Sequence, residues 1–366
     1  MPPGSDRLRA NRIGRAMTDG DGDIRIERRG RLGLVTLDRQ PELNALTHAM
    51  VLRMRAALDD FAVDPAVAVV AVTAAPGRAF CAGGDIRQVY EMGRAGDPSR
   101  NLFFRDEYRL NALIERYPKP YVALVDGVCM GGGVGLSAHG PHRVATERLV
   151  FAMPEVAIGF FPDVGGTYIL SHMPSELGLY LGLTGTSIRL ADAHLAGFVT
   201  DAVAPEALPS ILDTLAETGD VDAALAGRGV PIGPAPLADR LGVIERAFSA
   251  REVGEILLRL DAETGEHAAF AAETAATIRS RSPTSLELTF HALRRARKMS
   301  FSECMVMEYR LLCRILEGHD FYEGVRAAIV DKDRRPRWQP ADLDELEVLD
   351  IEAHFRPPAG GDIVLD

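Results

Sequence analysis

A chain of 366 residues, 47% hydrophobic and 25% charged, has the apolar material for a large buried core. Its net charge of −11 speaks against a general nucleic-acid or anionic-membrane surface, so an anionic ligand has to be met by local donors. No apolar run reaches the length of about 18 residues that a membrane-spanning helix needs.

Residues 1–23 form a loose Arg/Gly/Asp stretch without the apolar centre of a secretory signal. Asp6, Asp19, Asp21 and Asp23 also argue against an Arg-rich targeting segment, and Met17 is an alternative start. The stretch is set aside as a disordered tail. Ile24 to Asp38 alternates apolar and polar residues around Arg29-Gly30, which predicts a β-hairpin. A helix follows Pro41, with Val51, Met54, Leu58 and Phe61 on one face, and Asp64-Pro65 stops it. Val67 to Thr73 reads as a strand buried on both faces. A glycine-bearing loop spans Pro76 to Gly84, and a helix then runs to about Gly93. Residues 101–117 form an amphipathic helix that ends before Pro118. Tyr121 to Val125 is a second buried strand, followed by a glycine-rich turn at Gly131 to Gly135. Arg143 to Ala145 and Leu149 to Ala152 are further short strands. This alternation, over 24–205, predicts an α/β layered core. From 206 to 337 the helical periodicity of Ala, Leu, Glu and Arg predicts a helical subdomain, with Ser282 and Ser300 as N-caps. Residues 338–366 read as an irregular acidic tail.

The cysteines, Cys81, Cys129, Cys304 and Cys313, form no CxxC pair, and no HExxH occurs, so neither zinc nor disulfides are expected. A reduced, cytoplasmic setting is the expectation. The two glycine turns, FCAGGDI (Phe80 to Ile86) and MGGGVGL (Met130 to Leu136), each follow a buried strand and open a helix. Backbone N–H groups at such junctions lack partners, and facing turns could direct two donors at one oxygen. Tight helix–strand packing is the plainer alternative, but it does not explain two separate turns. Gly133, Gly135 and Ala138 also satisfy GxGxxA, a weak dinucleotide signal in the wrong part of the chain. A GxSxG nucleophile elbow is absent.

Three acids stand out. Glu107 shares a helix face with Phe103, Leu110 and Ile114, so its carboxyl is expected on the apolar side, serving either function or an ion pair with Arg109 or Arg116. Glu155 follows the apolar run LVFAMP and precedes a Gly/Pro-rich loop. Asp163, in FFPDVGG, reads as an exposed turn residue, either a cap or a functional group.

PELNAL, GRAFCAGGDI, KPYVALVDGVCMGGGVGL, FAMPEVAIGFFPDVGG and LTG, in this order, resemble the crotonase (enoyl-CoA hydratase/isomerase) superfamily. FFRDEY, FPDVGG, SPTS, MEYRL, GHDFYEGVRA, DKD and PRW resemble more closely its branch that hydrolyses β-hydroxyacyl-CoA thioesters. The likeness covers roughly Ile24 to Asp342. It implies a crotonase-type spiral of ββα units with a helical C-terminal region, no metal, and no cofactor beyond the CoA carried by the substrate. It implies 3-hydroxyisobutyryl-CoA or 3-hydroxypropionyl-CoA as the ester cleaved. Position by position, Gly84 and Gly132 would supply oxyanion N–H groups, and Glu155 and Asp163 would be catalytic. Glu107, Gly132, Glu155 and Asp163 would contact substrate, while Asn44, Ala45, Leu46, Ala82 and Asp85 would line the CoA. Where a hydratase of the superfamily carries a second glutamate, this chain has Gly135, which favours hydrolysis over hydration. An enoyl-CoA isomerase and a non-catalytic CoA-ester-binding protein are the competing readings. Family members are often homo-oligomers, but no subunit count can be read here. GHDFYEGVRA, with His319 and Arg326, is expected to pack rather than cover the ligand.

Overall fold

A computed structural model describes residues 22–365, so the tail expected at 1–23 lies, as far as residue 21, outside the described residues. The hairpin forms as β1 (Ile24–Arg29) and β2 (Leu32–Leu37), with Ile24 opposite Leu37 and Arg29 opposite Leu32. α1 (His48–Val63) starts at Thr47, whose hydroxyl accepts from the Met50 N–H at 3.2 Å. β3 (Val69–Ala74) and β4 (Ala79–Cys81) follow, then α2 (Ile86–Arg94) and α3 (Leu102–Glu115). β5 (Tyr121–Val125), β6 (Val128–Met130) and α4 (Gly132–Ser137) make the next turn. β7 (His142–Ala145), β8 (Val150–Ala152), a 3₁₀ turn (Glu155–Ile158) and α5 (Gly166–Ser171) make another. After α6 (Leu177–Thr184), β9 (Ile188–Arg189), α7 (Leu190–Leu195) and β10 (Asp201–Ala202), no named strand occurs among the described residues.

The topology is a spiral. One sheet runs β1-β2-β3-β5-β7-β10 and a smaller one runs β4-β6-β8-β9. Successive strand pairs, β3 and β4, β5 and β6, β7 and β8, give one strand to each sheet, parallel to the strand from the previous turn, and a helix or 3₁₀ turn then leads onward. This is the ββα repeat that the resemblance implied. The central strands β2, β3 and β5 are dry on both faces, which is why β3 and β5 read as unbroken apolar runs, whereas the edge strand β1 is largely exposed. Strand side chains alternate between faces. Leu34, Ala71, Val122 and Leu124 accordingly meet one apolar cluster, and Val35, Val72, Ala123 and Val125 meet the other. The first cluster is closed by Ile211 and Leu215 of α8 (Leu208–Thr218) and Val221 and Ala224 of α9 (Val221–Leu225).

The rest is helical: α10 (Leu241–Phe248), α11 (Val253–Asp261), α12 (Ala268–Arg279), α13 (Pro283–Ala296), α14 (Phe301–Ile315) and α15 (Asp320–Val325). Ser282 caps α13 through the Ser285 N–H. Ser300 and Glu303 form a reciprocal capping box on α14. The GHDFYEGVRA segment packs: the Asp320 carboxylate accepts from Ser282 Oγ (2.5 Å) and the Gln339 N–H (2.8 Å), and Arg326 pairs with Glu323 (2.8 Å). The acidic tail is more ordered than expected. It contains α16 (Val348–His354), buries Ile351, Phe355 and Ile363, sets the Phe355 ring 3.7 Å beneath the Arg295 guanidinium, and joins Asp362 to Arg310 at 2.6 Å. A few apolar anchors inside a densely acidic stretch carry too little periodicity to announce a helix.

Candidate active site

The parallel bridge between Leu46 and Gly84 runs through the neighbours of Gly84. The Leu46 N–H donates to the Gly83 carbonyl (2.8 Å), and the Asp85 N–H donates to the Leu46 carbonyl (2.9 Å). In extended chain, alternate N–H groups point to opposite sides. The Gly84 N–H is therefore turned away from Leu46. Gly132 is the first residue of α4, so its N–H is one of those a helix cannot satisfy internally. Neither N–H meets an acceptor among the described residues. The two turns abut: a Cβ on Gly131 would stand 3.4 Å from Gly83 Cα.

The expected acids converge on these turns. A Cβ on Gly132 would lie 2.6 Å from Glu107 Oε1, and one on Gly131 would lie 3.0 Å from Glu155 Oε1. Glu107 is on α3 as predicted, at 2% exposure; among the described residues neither arginine pairs with it, and its Oε1 has no hydrogen-bond partner. Glu155 opens the 3₁₀ turn after β8, and its Oε2 is likewise unpartnered. Asp163 corrects the expectation of an exposed turn: it is 5% exposed, because Phe160 and Phe161 draw the loop inward, and it accepts a hydrogen bond from the Tyr108 hydroxyl at 2.9 Å. Burial, then the neighbouring Asp163, lifts the Glu107 and Glu155 carboxyls well above the usual carboxylate range. Burial pushes Asp163 itself up to about 7, against the pull of Tyr108.

Three side chains absent from the sequence reading belong to this region. Tyr108 and Asn111 sit on α3 beside Glu107, both fully buried. Asn111 is at i+4 from Glu107, so the spacing argument that turned Glu107 inward applied to it as well. Glu308 of α14 is fully buried, and its carboxyl accepts from the Gly165 N–H (2.8 Å), the Thr167 N–H (3.0 Å) and Thr167 Oγ1 (2.5 Å), holding the loop that carries Asp163. Its position between Cys304 and Leu311 on a buried stripe was the available signal. His139 Nε2 bonds the Val164 carbonyl at 2.8 Å from the other side.

One expectation gains a reason here and another changes. The position beside Gly135 is not open: a Cβ there would stand 2.7 Å from Asn111 Nδ2 and 2.9 Å from Val164 Cβ. Asn44 is not free to line a ligand through its side chain. It is fully buried, donates to the Ala79 and Phe80 carbonyls and accepts from the Arg39 N–H, pinning the turn before α1. Of the other expected CoA neighbours, Ala45 gives its carbonyl to Arg39, Asp85 pairs with Arg39 at 3.1 Å, and the Ala82 N–H donates to the Leu43 carbonyl. Leu46 faces the interior, its Cδ1 3.0 Å from where Gly132 would carry a Cβ.

Two glycine turns with idle N–H groups, a ββα spiral and a set of buried acids define an acyl-CoA enzyme fold, and the chain belongs to the enoyl-CoA hydratase/isomerase family, whose pattern matches residues 32–355. It is similar to the mitochondrial 3-hydroxyisobutyryl-CoA hydrolases of Xenopus tropicalis (42% identical, covering 94% of this chain and 91% of the relative) and Homo sapiens (40%, covering 94% and 92%). Among solved structures it resembles a carnitinyl-CoA dehydratase from Mycobacterium thermoresistibile, with a TM-score of 0.89, 40% identity, and 94% of this chain and 99% of that one covered. It also resembles an enoyl-CoA hydratase from Rhodobacter sphaeroides 2.4.1, with a TM-score of 0.87, 38% identity and coverage of 93% and 99%. The relatives named mitochondrial overturn the expected cytoplasmic setting. That expectation leaned on unpaired thiols, and the four cysteines are indeed free and buried, but a reduced thiol fits any reducing compartment.

Proposed function

We propose that this protein hydrolyses the thioester of 3-hydroxyisobutyryl-CoA, or a near analogue such as 3-hydroxypropionyl-CoA, releasing the hydroxy acid and CoA. The observation that carries the reading is the grouping of Glu107, Glu155 and Asp163, three buried carboxyls with no cation paired to them among the described residues, around two turns with idle N–H donors. Names of relatives at about 40% identity support the same reaction.

The chemistry follows from charge. Attack on a thioester carbonyl puts negative charge on its oxygen, which the Gly84 and Gly132 N–H groups would stabilise; losing one such donor typically costs about 3–4 kcal/mol. Glu155, once ionised, takes a proton from water as the water oxygen bonds to the carbonyl carbon. Collapse of the tetrahedral adduct breaks the C–S bond, and the departing thiolate takes up that proton. In the covalent variant the Glu155 carboxylate attacks the carbonyl carbon, and the C–S bond breaks to expel the CoA thiolate. Water then opens the anhydride, returning Glu155 and the hydroxy acid while a proton of that water passes to the thiolate. Asp163 and Glu107 hold the acyl group's hydroxyl. Burial, then the nearby acids Asp163, Glu107 and Glu308, disfavour the charge on Glu155 and shift its ionisation upward. Activity should therefore rise with pH.

The second reading is hydration, favoured by the names of the two solved structures. Against it, an amide and a valine, not an acid, fill the space at Gly135. The test is thiol release from 3-hydroxyisobutyryl-CoA, run beside water addition to crotonyl-CoA and isomerisation of a 3-enoyl-CoA. Glu155→Gln should lower thioester cleavage by roughly 10²–10⁴-fold with ester binding retained. Unchanged turnover in that variant would remove Glu155 from the mechanism, and turnover of crotonyl-CoA alone would favour the hydratase.

A further inference from the structure

We infer that the side-chain amide of Asn111 is the donor that receives the oxygen of the substrate's β-hydroxyl, and so sets the preference for hydroxyacyl over plain acyl esters. The inference rests on the hydrolase reading above. Asn111 is completely buried, yet neither its Nδ2 nor its Oδ1 has a hydrogen-bond partner. Both ends being idle, the point holds whichever way the amide is turned. Leaving such groups unpaired is destabilising, and packing alone does not account for it when leucine would fill the same space.

Its location points to the acyl group. Of the eight buried side-chain polar atoms without partners among the described residues, four belong to Glu107, Asn111 and Glu155, and these surround the start of α4. Glu107 Oε1 lies against Gly132, whose N–H would hold the carbonyl oxygen. Asn111 is one turn further along α3 and lies against Gly135, one turn further along α4. Gly135 is three residues beyond Gly132, a rise of roughly 4.5 Å along the helix. A carbonyl at Gly132 thus carries its β-substituent toward Asn111, and Val164, on the same side of Gly135 as Asn111, brings the neighbouring Asp163 into the same region.

The chemistry of the neighbours suits such a group. A hydroxyl both donates and accepts, whereas an ionised carboxylate only accepts. When Glu107 or Asp163 is ionised and accepts from the substrate hydroxyl, Asn111 Nδ2 supplies the N–H for the hydroxyl oxygen. A site built to bond a hydroxyl rejects the ester lacking it, because its own buried polar groups are then left unpaired.

The test compares kcat/KM for 3-hydroxyisobutyryl-CoA and isobutyryl-CoA in wild type and Asn111→Leu. The variant should lose roughly tenfold or more on the hydroxy ester and change little on the plain one, so that the ratio collapses. Without ligand its Tm should stay at or above wild type, since an unpaired amide has been replaced by an apolar group of similar size. A parallel fall on both esters, or an unchanged ratio, would overturn the inference. A lowered Tm with an intact ratio would assign the amide to a buried water instead. Should leucine not fold beside Val164, Asn111→Ala measured the same way carries the same two outcomes. Wild type that cleaves neither ester would defeat the hydrolase reading and not this assignment alone.

Discussion

The Asp163 carboxyl is held between two opposed influences: burial lifts it from 3.8 to about 7, and the Tyr108 hydroxyl, donating at 2.9 Å, pulls it down. Removing the donor leaves burial unopposed. Tyr108→Phe should therefore move the ionisation of Asp163 upward by roughly one pH unit, the equivalent of one modest hydrogen bond to a charged group. A ¹³C NMR titration of the Asp163 carboxyl would show its midpoint displaced to higher pH, and an unmoved midpoint would mean that the Tyr108 hydroxyl does not stabilise the ionised form. Gly135 makes a second point at this scale. Because Asn111 Nδ2 and Val164 Cβ already occupy the place of a Cβ, Gly135→Ala is an overpacking change and should cost about 1–3 kcal/mol in urea unfolding. For the same reason Gly135→Glu by itself should not confer hydration of crotonyl-CoA, because its carboxylate has no room to reach the acyl chain.

Loop 163–167 shows how an element outside the spiral governs one inside it. α14 presents Glu308 to three donors on that loop, while burial, then the neighbouring Asp163, raises its carboxyl to about 8. In the unfolded chain the same group ionises near 4.5. The folded state therefore binds a proton that the unfolded state has released, a contribution complete below about pH 4.5 and lost as pH rises through about 8. Across that window stability should fall by about 1.4 kcal/mol per pH unit for this one proton. Glu308→Gln, which does not titrate, should flatten the slope between about pH 5 and 8. It should also be less stable than wild type by roughly 1–3 kcal/mol at the acid end, where its amide N–H₂ confronts a backbone donor. Urea titrations of both proteins at several pH values would show the wild-type curve falling to meet and then pass below that of the variant as pH rises; parallel curves would mean that Glu308 is ionised throughout. Glu308 also marks where the sequence stops being readable. Val67–Thr73 and Tyr121–Val125 announce themselves because strands dry on both faces have no polar gap. β9 and β10, at two residues each, are too short to show any period. Glu107 was legible from its apolar neighbours on one helix. The same spacing marked Asn111 and Glu308 as inward-facing, but a single polar residue on a buried stripe reveals nothing of what it meets, and the donors to Glu308 lie more than 140 residues away in the chain.

At the scale of the whole molecule, the boundary near residue 206 separates two compositions, but packing runs across it. One apolar cluster extends from Ile24 and Val35 through Leu110 and Phe160 to Leu311, Phe355 and Ile363, and the other face of the large sheet is closed only by α8 and α9. The spiral alone would leave Leu34, Ala71, Val122 and Leu124 facing water on one side, and the Asp163 loop without Glu308 on the other. At roughly 25 cal/mol per Å² of apolar surface, such exposure outweighs the few kcal/mol by which a domain of this kind is stable. The full chain should accordingly unfold in a single calorimetric transition, with van't Hoff and calorimetric enthalpies in agreement. A fragment covering residues 22–205 should lack a cooperative transition and bind no acyl-CoA. Two resolved transitions, or a fragment that melts cooperatively, would show instead that the compositional boundary is a boundary of stability. The acids would then have to reach their raised pKa values within the spiral, without α14 above them.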